Sequence, residues 1–116
     1  MSPHKRFIAW HESHKLCLAV YQATDSFPRH ELYGLTSQTR RAAFSAPANI
    51  VEGASRKGRN EFRHFLDIAL GSLGELEYAL ELAAALSYLK ADVYEKLQMQ
   101  HKRARFFTWK LKNSMR

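Results

Sequence analysis

The sequence predicts an all-α fold, an antiparallel up-and-down four-helix bundle, and three observations carry that prediction. Apolar residues recur at spacings of three and four along four long stretches. The connections between those stretches are short, which makes consecutive helices antiparallel neighbours. No stretch alternates apolar and polar residues with period two over six residues, and five Gly with three Pro are too few for an all-β chain that must turn about every ten residues.

The first helix is expected from Ile8 to Thr24, with Trp10, Cys17, Val20, Tyr21 and Thr24 on one face. Phe27-Pro28 closes it, because proline disfavours helical geometry in the residue before it. A turn from Arg29 to Gly34 leads into a second helix, Leu35 to Arg56, with Leu35, Thr39, Ala42, Ala46 and Ile50 inward. Pro47 removes one backbone donor there, so an interruption and a bend are expected. Gly58 punctuates the next connection and Asn60 offers an N-cap.

The third helix, Glu61 to Tyr88, has the strongest periodicity. Phe62, Leu66, Ala69, Leu73, Leu76, Leu80 and Ala83 form a seven-residue seam, and Phe65, Ile68, Ala79, Leu82 and Leu86 form a second stripe. One stripe suffices to pack a bundle, so two predict a helix covered on both sides. After Lys90-Ala91, Asp92 and Glu95 read as a capping pair for a fourth helix. It turns Val93, Leu97, Ala104, Phe107 and Leu111 inward and runs close to Arg116.

A chain of 116 residues suits a single domain spanning 1–116. Its apolar fraction of 46% and charged fraction of 25% are those of a globular protein rather than a disordered one. A lone cysteine, Cys17, excludes a disulfide framework, and the absence of a Cys/His cluster argues against structural zinc. With no apolar run of bilayer length and no signal-like N-terminus, no membrane role and a cytoplasmic location are expected.

Charge points toward an anionic partner. The net charge is +7, and residues 91–116 carry seven Lys/Arg against two Asp/Glu, whereas residues 59–90 carry three against five. On the fourth helix Lys102, Arg105, Lys112 and Arg116 oppose the expected core face, and Lys96, Arg103 and Lys110 repeat every seven residues along one flank. Phe106 and Trp109 also point outward among these bases. Cations interleaved with exposed aromatics suit phosphate contact with base stacking, and they equally suit a subunit interface. An ordinary solvated face would account for the lysines and leave the aromatics unexplained.

The remaining candidate chemistry has plainer readings. His11-Glu12-Ser13-His14 places its histidines at i and i+3, whereas the zinc-protease motif needs i and i+4. They are read as partly exposed helix residues. Cys17 is read as a small core residue, although His14 lies one turn away. Asn49 and Glu52, just beyond Pro47, are expected to form a structural polar network with Arg40 and Arg41 as candidate partners of Glu52. Gly71 and Gly74 cost about 1 kcal/mol each relative to Ala within a helix, and close helix approach would explain them. No phosphate-cradling loop, cofactor motif or small-molecule site is visible.

The run LYGLTSQTRRAAFSAPANIVEGASRKGRNEFRHFLDIALGSLGELEYAL, Leu32 to Leu80, carries a family resemblance. The Phe27-Pro28 turn, Leu32-Tyr33-Gly34-Leu35-Thr36, Arg40-Arg41-Ala42-Ala43, Ser45 to Gly53 and the Ala69-Leu70-Gly71-Ser72 core all contribute, and Trp10 also fits. The chain resembles the four-helix-bundle proteins encoded in intervening sequences of bacterial 23S ribosomal RNA genes. It is more distantly similar to the pentameric accessory proteins of diversity-generating retroelements. The resemblance implies a ring of five subunits and no known enzymatic activity. Within that frame Phe65, Ile68, Leu82, Phe106 and Trp109 are candidate interface residues. The expected function is a non-enzymatic homo-oligomer that binds structured RNA or DNA through its basic surface. A protein-interaction scaffold without nucleic acid is the alternative, and a nuclease using Glu52, a histidine and a divalent ion is a more remote one.

Overall fold

A computed structural model describes residues 2–115, and every structural statement below concerns those residues. Four helices account for the fold: α1 (Ile8–Ala23), α2 (Leu35–Ala54), α3 (Arg59–Ala85) and α4 (Ala91–Asn113). Single 3-10 turns occupy Pro3–Arg6, Thr24–Ser26 and Arg29–Glu31, and no strand is present among the described residues. The molecule measures 43 × 25 × 24 Å, and its long axis is close to the length of α3. Each helix packs on two others, in the cycle α1–α2–α3–α4–α1, while the diagonal pairs α1/α3 and α2/α4 do not approach each other. Between α3 and α4, Leu73 meets His101 and Asp67 meets Lys112, so one helix ascends as the other descends.

Leu66, Leu73, Leu76 and Leu80 are fully buried, which matches the expected α3 seam. Truncating any one of them to Ala would forfeit transfer free energy and leave a cavity, a loss of about 2–5 kcal/mol. The core divides into two clusters, one around Leu16, Val20, Leu73, Leu80 and Leu97 and one around Ala9, Ile50, Phe62 and Leu66. Ser13 falls between them along α1, fully buried.

Several local expectations are corrected. The inner face of α1 is Ala9, Glu12, Ser13, Leu16 and Val20, with Trp10 and Cys17 only partly buried and Tyr21 exposed. Glu12 and Ser13 hold core positions, and reading them as outward rotates the apparent face toward α2. Burial pushes the Cys17 thiol above its ordinary pKa. α2 continues through Pro47 without ending. Helix α3 starts at Arg59, with Gly58 in the cap position, so Asn60 lies inside the first turn. Likewise α4 starts at Ala91 after Lys90, and Asp92 contributes negative charge to the first turn rather than a capping side chain.

The end of α3 is a Schellman motif. Ser87, at φ 64°, is the one positive-φ non-glycine residue among those described. The Tyr88 amide donates to the Ala83 carbonyl at 2.9 Å and the Ser87 amide to the Ala84 carbonyl at 3.0 Å. Tyr88 then donates its hydroxyl to Glu31 Oε2 at 2.9 Å, while Glu31 Oε1 accepts the Leu35 amide at 3.1 Å and caps α2. These bonds hold the Glu31 carboxyl below the ordinary carboxylate range.

Glycines separate by context. A Cβ on Gly53 would lie 2.7 Å from Phe62 Cδ1 and 2.9 Å from Phe65 Cβ, so glycine permits the close approach of α2 and α3. A Cβ on Gly71 or Gly74 would meet nothing within 4 Å, so close packing within the chain does not explain those two.

Candidate nucleic-acid interface

Helix α4 forms because its inward set, Leu97, His101, Ala104 and Thr108, recurs at four, three and four residues and is buried throughout. His101 and Thr108 are polar, and treating them as outward displaces the apparent inner face. His101 Nε2 lies 2.6 Å from the Leu73 carbonyl; a carbonyl only accepts, so that nitrogen bears the proton and donates across to α3. The heptad spacing through Leu97, Ala104 and Leu111 was the available signal for the buried positions at 101 and 108.

The basic residues fall into two groups. Arg103 donates from Nε to Glu12 Oε1 at 2.9 Å, and its guanidinium lies 5.5 Å from the Phe107 ring centroid. Lys15 Nζ lies 3.2 Å from the other Glu12 oxygen. The Arg103 hydrogen bond is the largest influence on Glu12 and holds its carboxyl below the ordinary range despite desolvation. Lys112 corrects the expectation of an outward side chain: it is mostly covered and pairs with Asp67 of α3. These two cations tie α4 to α1 and α3.

Lys96, Lys102, Arg105 and Lys110 form the second group. All four are exposed, and none has a carboxylate partner among the described residues. Lys110 Nζ sits 5.9 Å from the Phe106 ring centroid. Phe106 is 51% and Trp109 53% exposed, well above what core aromatics show. Lys102, Arg105, Phe106 and Trp109 line one groove with His101 and Glu77, a cavity of about 430 Å3 beside the α3/α4 contact. Arg116, also expected on this surface, lies outside the described residues.

The expected polar network around Glu52 is replaced by three separate contacts. Arg40 donates to Thr24 Oγ1 at 2.8 Å and to Asp25 Oδ1 at 3.0 Å, closing the C-terminal end of α1. Arg41 is exposed without an ion pair among the described residues, and Glu52 instead pairs with Arg56 at 3.2 Å, one turn along α2. Asn49 donates to the Ser45 carbonyl at 2.8 Å, and Ser72 reaches Ser45 Oγ at 2.8 Å to link α3 to α2. The reason is reach: Arg40 lies on the α1 side of α2, whereas Ser45 and Asn49 lie toward α3.

Of the candidate interface residues, Phe65 is partly covered within the chain, with the Arg56 guanidinium 5.1 Å from its ring centroid, and Leu82 is partly buried. Ile68 is 38% exposed. The sequence reading missed Phe44 and Val51, which lie seven residues apart on α2 and are both exposed. Met99 and Phe106 make an equivalent stripe on α4. Elsewhere, His14 stacks on Trp10 with centroids 4.8 Å apart, and His11 Nε2 lies 2.6 Å from the Lys5 carbonyl. Among the described residues no three His, Cys, Asp or Glu side chains converge as metal ligands, and no helix is long and apolar enough to cross a membrane.

The family model for the 23S rRNA-intervening sequence protein matches residues 5–106. A solved structure, described as a protein with unknown function from the S23 ribosomal protein family of Bacteroides thetaiotaomicron, superposes with a TM-score of 0.80 at 22% identity. The match covers 90% of this chain and 97% of that one, a likeness of fold. No curated protein matches the chain.

Proposed function

The chain belongs to the 23S rRNA-intervening sequence protein family, and from that premise we propose that it is a non-catalytic, oligomeric scaffold that binds nucleic acid through the exposed cations of α4. The observation that carries this reading is that Lys102, Arg105 and Lys110 stand beside the half-exposed Phe106 and Trp109, with Lys96 nearer the start of the same helix, and that none of the four cations has a carboxylate partner among the described residues. Phosphate neutralisation is then the main source of affinity, so binding is strongly salt-dependent and only weakly sequence-selective.

Assembly has its own support. The exposed Phe44/Val51 stripe lies on α2, the helix diagonal to basic α4, so a subunit contact there leaves the cations of α4 open. A contact between that stripe and a different surface of the next subunit is head-to-tail, and it closes into a ring when the rotation per subunit divides a full turn. The number five rests on the sequence resemblance alone. A ring repeats the basic surface and multiplies weak contacts through effective concentration.

The test is RNA binding across a salt series for the wild type and the Lys102→Glu/Arg105→Glu variant. The variant is expected to keep its oligomeric mass, lose affinity and show a shallower salt slope. Unchanged affinity and slope would remove α4 as the binding surface. No binding by the wild type at low salt would leave the protein-interaction scaffold in its place. Metal-dependent cleavage that disappears in a folded Glu52→Ala variant would establish a nuclease instead.

A further inference from the structure

We propose that the α3/α4 groove is a subsite for one unpaired nucleobase that carries an exocyclic amino group, with the ring stacked on Trp109, the adjoining phosphate on Lys102 and Arg105, and the amino group on Glu77. This rests on the nucleic-acid reading above and adds what form of nucleic acid the surface takes. Glu77, Lys102, Arg105 and Trp109 line the same cavity of about 430 Å3, within the range of small-ligand sites. A second hollow of about 250 Å3 shares Glu77, His101 and Lys102 with it and adds another carboxylate, Glu95, beside Tyr94 and Met99.

Three features select a base over a plain phosphate backbone. Trp109 lines the groove and is half exposed, and stacking on an aromatic side chain requires a base that has left its own helix. A duplex hides those faces and presents its phosphates outside. The groove also holds a carboxylate: Glu77 belongs to no ion pair among the described residues, although Lys102 and Arg105 line the same cavity. A carboxylate repels phosphate and accepts hydrogen bonds, so at the 4- or 6-position of a base it fits the amino group of cytosine or adenine and opposes the O4 carbonyl that uracil or thymine presents there, leaving those two only their N3–H to donate. Finally, the buried His101–Leu73 bond fixes α4 against α3 at the groove floor, so the walls are set before any ligand arrives.

The experiment uses the full chain with Trp10→Phe, which leaves Trp109 as the sole tryptophan, and oligodeoxynucleotides of one length: oligo-dC, oligo-dT and a mixed-sequence duplex. Oligo-dC is expected to quench Trp109 emission and bind several-fold more tightly than oligo-dT. Trp109→Ala is expected to weaken oligo-dC by about tenfold or more and to leave duplex binding within about twofold. Glu77→Gln is expected to narrow the preference for oligo-dC over oligo-dT. Equal binding of single strand and duplex without quenching would overturn the subsite while leaving the general basic surface standing. If no oligonucleotide binds at low salt, the nucleic-acid reading itself fails. A fall in oligomeric mass for Trp109→Ala with unchanged oligo-dC affinity would assign Trp109 to subunit contact and overturn the proposal.

Discussion

Arg103 reaches from α4 to Glu12 on α1 with its Nε 2.9 Å from Oε1, so a residue of the basic face is spent on holding two helices together. The carboxylate it meets is 10% exposed, and its pKa lies below the ordinary 4.5. A depressed carboxylate binds its proton less readily in the folded chain than in the unfolded one. Its contribution to stability is therefore present above about pH 4.5 and lost as pH falls through the lower folded value. Glu31, depressed first by the Leu35 amide and then by Tyr88, acts in the same direction. Thermal melts of the wild type should fall steeply below pH 4.5, and Glu12→Gln should start from a lower Tm at neutral pH with a shallower acid decline. An unchanged acid limb in Glu12→Gln would contradict the assignment.

Lys112 and Lys102 are ten residues apart on one helix yet should behave as different kinds of residue. Lys112→Ala removes the pairing with Asp67 and is expected to lower Tm while leaving RNA affinity within about twofold, since that charge already faces a carboxylate. Lys102→Ala should do the reverse, reducing the salt slope of binding by about one phosphate contact without changing Tm. Denaturation and binding measured on both variants decide the matter.

Three glycines on helices call for opposite responses to the same substitution. Gly53→Ala forces a methyl against Phe62 and Phe65 and should cost about 1–3 kcal/mol in urea melts. Gly71→Ala and Gly74→Ala meet open space, so each should add up to about 1 kcal/mol through helix propensity. If either instead reduces the oligomeric mass, a neighbouring subunit packs against the bare backbone at that glycine.

Ser87 occupies the left-handed position that closes α3, where a side chain with Cβ is disfavoured. Ser87→Gly should stabilise the chain by about 0.5–1 kcal/mol, a rise of a few degrees in Tm for a domain of this size. A lower Tm would mean that the serine side chain contributes more than the backbone gains.

Phe44→Ser/Val51→Ser removes a partly exposed apolar stripe on α2. Light scattering should report a smaller assembly with an unchanged helical circular dichroism spectrum. An unchanged mass would place the subunit contact elsewhere.

The bundle was readable because α3 spells its buried face with leucine and alanine over seven positions, and apolar periodicity is the most direct record of burial. Where polar side chains occupy core positions, as Ser13 and Glu12 do on α1 and His101 and Thr108 on α4, the record is erased and the apparent face rotates. That rotation is why Lys112 was expected outward. The basic character of α4 was equally plain from composition, but which cations stay free depends on carboxylates brought from α1 and α3, and sequence spacing does not reveal partners from other helices. Helix ends were displaced by a few residues because Gly58 and Lys90 hold cap positions that offer no side-chain acceptor.

Two neighbouring helices can slide along one another in steps of a turn, trading one set of apolar contacts for another of nearly equal worth. The His101 proton on the Leu73 carbonyl works against that degeneracy: sliding α4 breaks this bond, and a buried N–H without an acceptor costs free energy. The bond therefore acts as an index mark that sets the phase of α4 against α3, and with it the order in which charges are read along the outer surface. Replacing the imidazole with a hydrocarbon of similar bulk would leave the helices packed, with the phase of α4 against α3 held by the Lys112–Asp67 pair at its far end.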